Sequence, residues 1–160
     1  MAARLLIIWH SRTGASEAMA KAALEGAGAY GQLLEASFVT SADILAARGF
    51  LFVCPENLAS MSGLMKDMFD RTYYDVLGQI EGRAYATIIA AGSDGEGAQR
   101  QIDRIATGWR LRRVAEPMIA NFEAQDAETI WAPKVIDGPT KQRCFEMGQA
   151  LGQGLNDGIF

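Results

Sequence analysis

The segment His10-Ser-Arg-Thr-Gly-Ala-Ser-Glu17 gathers the hydroxyls of Ser11, Thr13 and Ser16 around Gly14 and runs into a stretch of helical spacing. Such a loop suits a phosphate. The first N–H groups of a helix are unpaired, the macrodipole is positive there, and hydroxyls add further hydrogen bonds. Gly14 lets the backbone approach a ligand closely, while Ser16 would serve equally as an ordinary N-cap. The loop has neither the lysine of a Walker A sequence nor the spacing of GxGxxG. This points away from a nucleoside triphosphatase or a dinucleotide and towards a monophosphate. Arg12 is the loop's only cation and is expected to face solvent, with Glu17 turned outward.

Two further segments carry ligand chemistry. In Pro55-Glu-Asn-Leu-Ala-Ser-Met-Ser-Gly63, Asn57, Ser60 and Ser62 can hydrogen-bond a heterocycle, and Leu58 and Met61 can cover one of its faces. Taken alone, it also reads as a surface loop with Ser62 capping the next helix. Gly92-Ser-Asp-Gly-Glu-Gly97 can meet a flat ring edgewise through its backbone. Asp94 and Glu96 there read as solvated acids rather than general acids.

The elements that must position these segments follow from apolar pattern. Arg4–Trp9, Gly49–Cys54 and Ala84–Ala91 are short continuous apolar runs, which read as buried strands. Leu33–Ser37 and Val114–Ala120 are weaker strands, the latter because Pro117 cannot donate to a ladder. Helices are expected over Ser16–Gly28, from Ser41 as N-cap to Ala47, over Ser62–Val76, Ala98–Thr107 and Thr140–Leu155. The Ser62–Val76 helix is expected to present Leu64, Met65, Met68, Phe69 and Thr72 on one face. Strand and helix alternate, and strands apolar on both faces imply a parallel sheet covered by helices. In such sheets ligands bind beyond the carboxyl ends of the strands, where all three segments lie.

Composition bounds the function. The chain has 160 residues, 49% hydrophobic and 21% charged, which fits one globular domain over 1–160. A net charge of −4 disfavours general nucleic-acid binding. Cys54 and Cys144 form no CxxC, and His10 is the single histidine, which disfavours a disulfide scaffold or a zinc site. The apolar run Leu5–Trp9 is too short to span a membrane. A soluble cytoplasmic protein is expected, with neither nucleic acid nor membrane as partner.

The three segments resemble a known family. Ser11-Arg-Thr-Gly-Ala-Ser16 is similar to the flavodoxin phosphate loop, Ser/Thr-x-Thr-Gly-x-Thr/Ser. Pro55-Glu-Asn-Leu-Ala-Ser-Met-Ser-Gly-Leu-Met-Lys66 is similar to a stretch of the flavodoxin-like NAD(P)H:quinone oxidoreductases, the tryptophan-repressor-binding-protein group. Asp70 matches an acidic residue that often follows, and Gly92–Gly97 resembles their glycine-rich third loop. The resemblance implies a flavodoxin-like α/β fold, doubly wound, with a five-stranded parallel sheet of order 2-1-3-4-5 and helices on both faces. It also implies non-covalent FMN. Ser11, Arg12, Thr13, Gly14, Ala15 and Ser16 would cradle the phosphate. Pro55, Glu56, Asn57, Leu58, Ala59, Ser60 and Met61 would line one side of the ring, and Gly92, Ser93, Asp94 and Gly95 the other.

The activity so implied is electron transfer from NAD(P)H to a quinone or similar small acceptor, the flavin carrying the chemistry. Two other readings stay open: an electron-carrier flavodoxin without nicotinamide activity, and a domain that has lost its flavin. The modest −4 argues against a carrier, since carriers of this family dock through acidic rims. Two departures stand out. Ala59 replaces a family glycine, and the segment after Asn121 lacks the family's glycine-rich aromatic stretch, which shapes the substrate pocket and the tetramer. A homodimer or higher homo-oligomer stays open on sequence grounds.

Several residues read as structural. His10 is expected to hold local structure rather than act on phosphate or flavin. Cys54, at a strand end, is either flavin-facing or simply core. Arg100, Arg104, Arg110, Arg112 and Arg113 read as a solvated basic face, with an NADPH phosphate site as the alternative. Phe69, Tyr73 and Tyr74 form a core or interface stripe, and Trp109 and Trp131 are candidate anchors of a dimer contact.

Overall fold

The computed structural model describes residues 4–160. Five positions make up a parallel sheet. In chain order the strands are β1 (Leu5–Trp9), β2 (Gly31–Glu35), β3 (Gly49–Asn57), β4 (Ser60–Met61), β5 (Ala84–Ala91), β6 (Arg112–Arg113) and β7 (Met118–Asn121). The order across the sheet is β2-β1-β3-β5, with β6 and β7 sharing the fifth position beside β5. This is the 2-1-3-4-5 order that the resemblance implies. The helices are α1 (Ala15–Ala27), α2 (Ser41–Ala46), α3 (Gly63–Val76), α4 (Glu96–Gly108), α5 (Ala127–Trp131) and α6 (Gly138–Asn156). Among the described residues no helix is long and apolar enough to cross a membrane.

Alternation along each strand divides the core between two faces. Leu6, Ile8, Phe50, Phe52, Cys54 and Ile89 pack against Ile44 of α2, Met65, Met68 and Phe69 of α3, and Ile102 of α4. Leu5, Ile7, Leu51, Val53, Ala86 and Ile88 pack against Ala15, Met19 and Ala23 of α1 and Cys144, Leu151 and Leu155 of α6. Helices therefore cover both faces. On the first face Phe69 sits 5.0 Å from Phe52 and edge-on to Trp109 at 5.2 Å. Trp109 is thus buried core and not a dimer anchor. Of the face expected on α3, only Leu64 is exposed. Tyr73 and Tyr74 are exposed and stack on each other at 5.1 Å.

The structure corrects several boundaries. β2 starts and ends two residues earlier than the sequence suggests. The N-cap of α2 is Thr40, whose hydroxyl accepts from the Asp43 N–H while the Asp43 carboxylate accepts from the Thr40 N–H. Of the expected strand Val114–Ala120 only Met118–Ala120 is formed, within β7, while β6 ends before it at Arg113; residues 114–118 line a depression of about 360 Å³ against α6. The segment Pro55–Gly63 is not an open loop. β3 runs on through Asn57 and turns back antiparallel into β4, pairing Glu56 with Met61 and Asn57 with Ser60. Finally, α5 lies in a stretch that carries no apolar periodicity.

Candidate functional site

The parallel sheet places the carboxyl ends of β1, β3 and β5 side by side, so the three sequence segments emerge at one edge. In the first, Gly14 stands at φ +100° as the N-cap of α1, a left-handed conformation that favours glycine. Its N–H donates to Ser11 Oγ at 3.0 Å, and its carbonyl accepts from the Ala18 N–H at 3.0 Å to open the helix. Ala15 is buried, Thr13 half-buried and Arg12 exposed. Ser16 is buried, and its Oγ has no hydrogen-bond partner among the described residues. It is therefore not a helix cap. An unpaired hydroxyl in the first turn, beside free N–H groups and the positive end of the helix, has the chemistry of an oxyanion site.

His10 leads this loop and is buried. Its N–H donates to the Val53 carbonyl at 3.0 Å, and its Nδ1 lies 2.8 Å from Ser62 Oγ. Burial holds the imidazole below its ordinary value of 6.5, opposed by Glu35 and assisted by Arg12. The ring ties the first segment to the second. Ser62 spends its hydroxyl here and not on capping α3. Cys54, just inside β3, is wholly buried, and burial pushes its thiol up to about 12. It is core.

The hairpin turns at Leu58 and Ala59, at φ +53° and +62°. Two successive left-handed residues fit the primed turn that suits tight hairpins, normally built from Asn-Gly. Ala59, where the resembled family has glycine, thus stands in a backbone conformation that favours glycine. Leu58 is fully exposed at the tip, Asn57 is exposed, Ser60 half-buried and Met61 buried. Pro55 is half-buried at the exit of β3, and its carbonyl accepts from the Ser62 N–H at 3.2 Å.

Glu56 has a different role from the ring contact expected of it. Its carboxylate accepts from the N–H groups of Gly95 at 2.9 Å and Ala98 at 3.0 Å, at the start of α4. In return, Gln101 of α4 accepts from the Met61 N–H at 2.7 Å and from Ser60 Oγ at 2.9 Å. These reciprocal bonds lock the second segment to the third. No sequence signal marks Gln101, an exposed polar residue on a helix.

In the third segment Gly95 stands at φ +90°, and a Cβ there would lie 2.5 Å from Ile119. A Cβ on Gly97 would lie 2.1 Å from the Ala59 carbonyl oxygen, so the hairpin tip rests directly on this glycine. Ser93 and Asp94 are exposed. The Gly92 carbonyl accepts from the Ala124 N–H at 2.8 Å, and the Ser93 carbonyl accepts from Asn121 Nδ2 at 2.8 Å. The chain then crosses towards the first segment, where the Lys134 N–H donates to the Thr13 carbonyl at 2.7 Å. A fourth element, residues 121–134 with α5 at its middle, therefore joins the third segment to the first. Sequence reasoning marked in it only Trp131, as a candidate dimer anchor, and the lack of the family's glycine-rich aromatic stretch.

The model of one protein family, the NADPH-dependent FMN reductases, matches residues 39–123, which is over half of the chain and includes the second and third segments. The chain belongs to this flavodoxin-like, FMN-binding family. A flavodoxin of Aquifex aeolicus is 32% identical over 98 residues, covering 59% of this chain and 53% of that protein. The chain thus spans about half the length of the curated relative it matches. Among solved structures, an archaeal flavodoxin superposes with TM-score 0.77 at 15% identity, covering 96% of this chain and 99% of the other. A flavodoxin, WrbA-like protein of Agrobacterium tumefaciens gives 0.74 at 13%, covering 98% and 99%. At these identities the two likenesses establish the fold, and they agree with the family match.

Proposed function

We propose that this chain holds FMN across the three segments and serves as an electron-transfer flavoprotein, in the manner of a carrier. The observation that carries the reading is Ser16 Oγ, buried and unpaired at the positive end of α1, within a loop of hydroxyls. Ser11, Arg12, Thr13, Gly14, Ala15 and Ser16 would hold the phosphate. Pro55, Asn57, Leu58, Ala59, Ser60 and Met61 would lie on one side of the ring, with Gly92, Ser93, Asp94 and Gly95 on the other. Glu56 would hold these two sides at a fixed spacing. FMN, when bound, supplies reversible electron acceptance. The chain's own contribution is to bind it, orient it and set the charge around it.

Charge placement favours the carrier reading. Asp94, Glu96, Glu123, Asp126 and Glu128 are all exposed around the third segment and the start of α5, and none is in a salt bridge among the described residues. The total of −4 hides this local excess. It suits docking of a basic protein partner. The two buried free thiols fit a reducing compartment such as the cytoplasm.

The family match favours a second reading, an NAD(P)H-dependent oxidoreductase that passes electrons to a quinone or similar small acceptor. Anaerobic addition of NADPH to FMN-loaded protein separates the two. A carrier keeps its oxidised flavin absorbance until a reductase is supplied. An oxidoreductase bleaches faster than free FMN does. Protein that cannot be loaded with FMN at all overturns both.

A further inference from the structure

We propose that Lys134 is a positioning residue for the first segment, and that through it the site prefers FMN to riboflavin, the same flavin without its phosphate. This deepens the reading that the chain holds FMN and rests on it. The first observation is a backbone bond between distant parts of the chain. The Lys134 N–H donates to the Thr13 carbonyl at 2.7 Å. A Cβ on Gly14 would lie 3.5 Å from the Lys134 carbonyl oxygen, so the two stretches of backbone run in contact.

The peptide between Thr13 and Gly14 is trans, so its C=O and N–H point in opposite directions. Fixing the carbonyl towards Lys134 turns the Gly14 N–H the other way, where it donates to Ser11 Oγ at 3.0 Å. Ser11 Oγ accepts on that side, and its own proton is left to donate elsewhere. A phosphate oxygen in the loop is the acceptor such a hydroxyl suits, beside the unpaired hydroxyl of Ser16. From Lys134 through Thr13, Gly14 and Ser11 to the phosphate, each bond orients the next.

The second observation is what holds Lys134 itself. Its ammonium donates to the carbonyls of Thr129, Ile130 and Ala132 at 2.8, 3.2 and 2.6 Å. These stand at the C-terminal end of α5, where a helix leaves its carbonyls without partners. An ammonium has three hydrogens, and all three are used. Lys134 has none left for a phosphate oxygen and acts on the loop through its backbone. Asp126 closes the other end of α5, its carboxylate accepting from the Thr129 N–H at 2.8 Å. Beyond Lys134, Ile136 packs against the core between the sheet, α1 and α6. The lysine side chain thus fixes the turn after α5, and that turn fixes Thr13. Riboflavin has no group for the first segment to hold, so the geometry that Lys134 sets bears on FMN alone.

The dissociation constants of FMN and riboflavin are measured by flavin fluorescence on flavin-free wild type, Lys134→Met and Lys134→Arg. Each is taken at low salt and at about 1 M salt, where the Debye length falls to about 3 Å. Lys134→Met keeps the apolar stem and loses the three donors. It is expected to weaken FMN binding about tenfold at both salt concentrations and to leave riboflavin within about twofold. Lys134→Arg brings donors to the same carbonyls and is expected to recover most of the FMN affinity. A second measurement needs no variant. Amide hydrogen exchange at Lys134 is expected to slow when FMN binds the wild type and not when riboflavin does, because coupling between loop and ligand is reciprocal.

A preference for FMN over riboflavin that is unchanged in Lys134→Met overturns the proposal. So does a loss of FMN affinity that disappears at high salt, which would make Lys134 a distant charge. An equal loss for both flavins, which would make it a general prop of the fold, overturns it as well. So does amide exchange at Lys134 that FMN leaves unchanged, and this measurement decides alone if Lys134→Met does not fold. Wild-type protein that binds FMN no more tightly than riboflavin takes the phosphate out of the first segment, and the proposal falls with it. Wild-type protein that binds neither flavin is a separate result, and overturns the FMN reading itself.

Discussion

A hydroxyl buried without a partner forfeits its hydrogen bonds to water at a cost of about 1–3 kcal/mol, and Ser16 Oγ bears that cost in the first turn of α1. Function and stability separate cleanly at this residue. Ser16→Ala is expected to leave the flavin-free protein as stable as before, or more so, and to weaken FMN binding by about tenfold. Thermal melts of the flavin-free protein and a fluorescence titration with FMN check the two halves. Unchanged affinity would remove Ser16 from the site. His10 gives a pH prediction. Its folded value lies below the ordinary 6.5 because burial disfavours the cation. The unfolded chain therefore binds more protons, so this contribution to stability is full above 6.5 and is lost as pH falls through that value. Urea unfolding between about pH 5 and 7.5 should show that slope in the wild type and a flatter one in His10→Gln. At this scale the hydroxyls of the first segment were legible, because their types and their place before a helix state a chemistry. Glu56 and Gln101 were not, because their partners lie 39 to 42 residues away and exist only once the sheet has formed.

Elements buried on both faces were the most legible, since β1, β3 and β5 are apolar throughout and hydrophobic burial leaves them one place to go. The edges were less so. β2 is only half-buried, and the fifth position is split where Pro117 interrupts the ladder, so neither has a continuous apolar run. α5 is five residues long, capped at both ends by polar contacts and buried at none of its positions, which leaves no periodicity to read. The hairpin escaped notice for another reason: its turn has left-handed backbone at Leu58 and Ala59 without the glycine or asparagine that normally announces it. A side chain in that conformation costs about 1–2 kcal/mol, so Ala59→Gly is expected to raise stability by up to about 1 kcal/mol after the added freedom of the unfolded chain is subtracted. Denaturant midpoints measure it, and a fall would mean the Ala59 methyl is held by contacts that offset the strain. The opposite holds between α1 and α6. A Cβ on Gly148 would lie 1.9 Å from the Ala23 carbonyl oxygen, a backbone atom that cannot swing aside. Gly148→Ala must push the two helices apart and is expected to cost about 2 kcal/mol or more, read as a lowered midpoint with unchanged slope.

A parallel sheet sorts charge across the whole molecule, because every strand begins at one edge and ends at the other. Arg48, Arg83 and Arg112 lead or open β3, β5 and β6, and their backbones are bonded in sequence across the sheet or lie next to those that are. Burial, reinforced by Arg48 beside it, lowers Arg83 below the usual guanidinium range. The opposite edge carries Asp94, Glu96, Glu123, Asp126 and Glu128. With Glu25 and Glu81 counted at the first edge and Arg12 and Lys134 at the second, these side chains form a dipole whose negative end is the candidate site, within a total of −4. Such a field turns an approaching basic partner towards the site before contact and raises the encounter rate, an effect that salt removes over a Debye length of about 10 Å at 0.1 M. Position and net charge can be told apart with two double variants. Glu123→Gln with Glu128→Gln removes two charges at the site edge; Glu25→Gln with Glu81→Gln removes two near the ends of α1 and α3, at the far edge. Both take the total from −4 to −2. If net charge alone governs the encounter, the second-order rate of electron transfer from reduced, FMN-loaded protein to cytochrome c falls equally in both. If the dipole governs it, the site-edge pair slows the reaction severalfold at low salt and flattens its ionic-strength dependence, while the far-edge pair stays close to wild type. Stopped-flow traces across a salt series decide between them, and the second outcome is the one this charge distribution predicts.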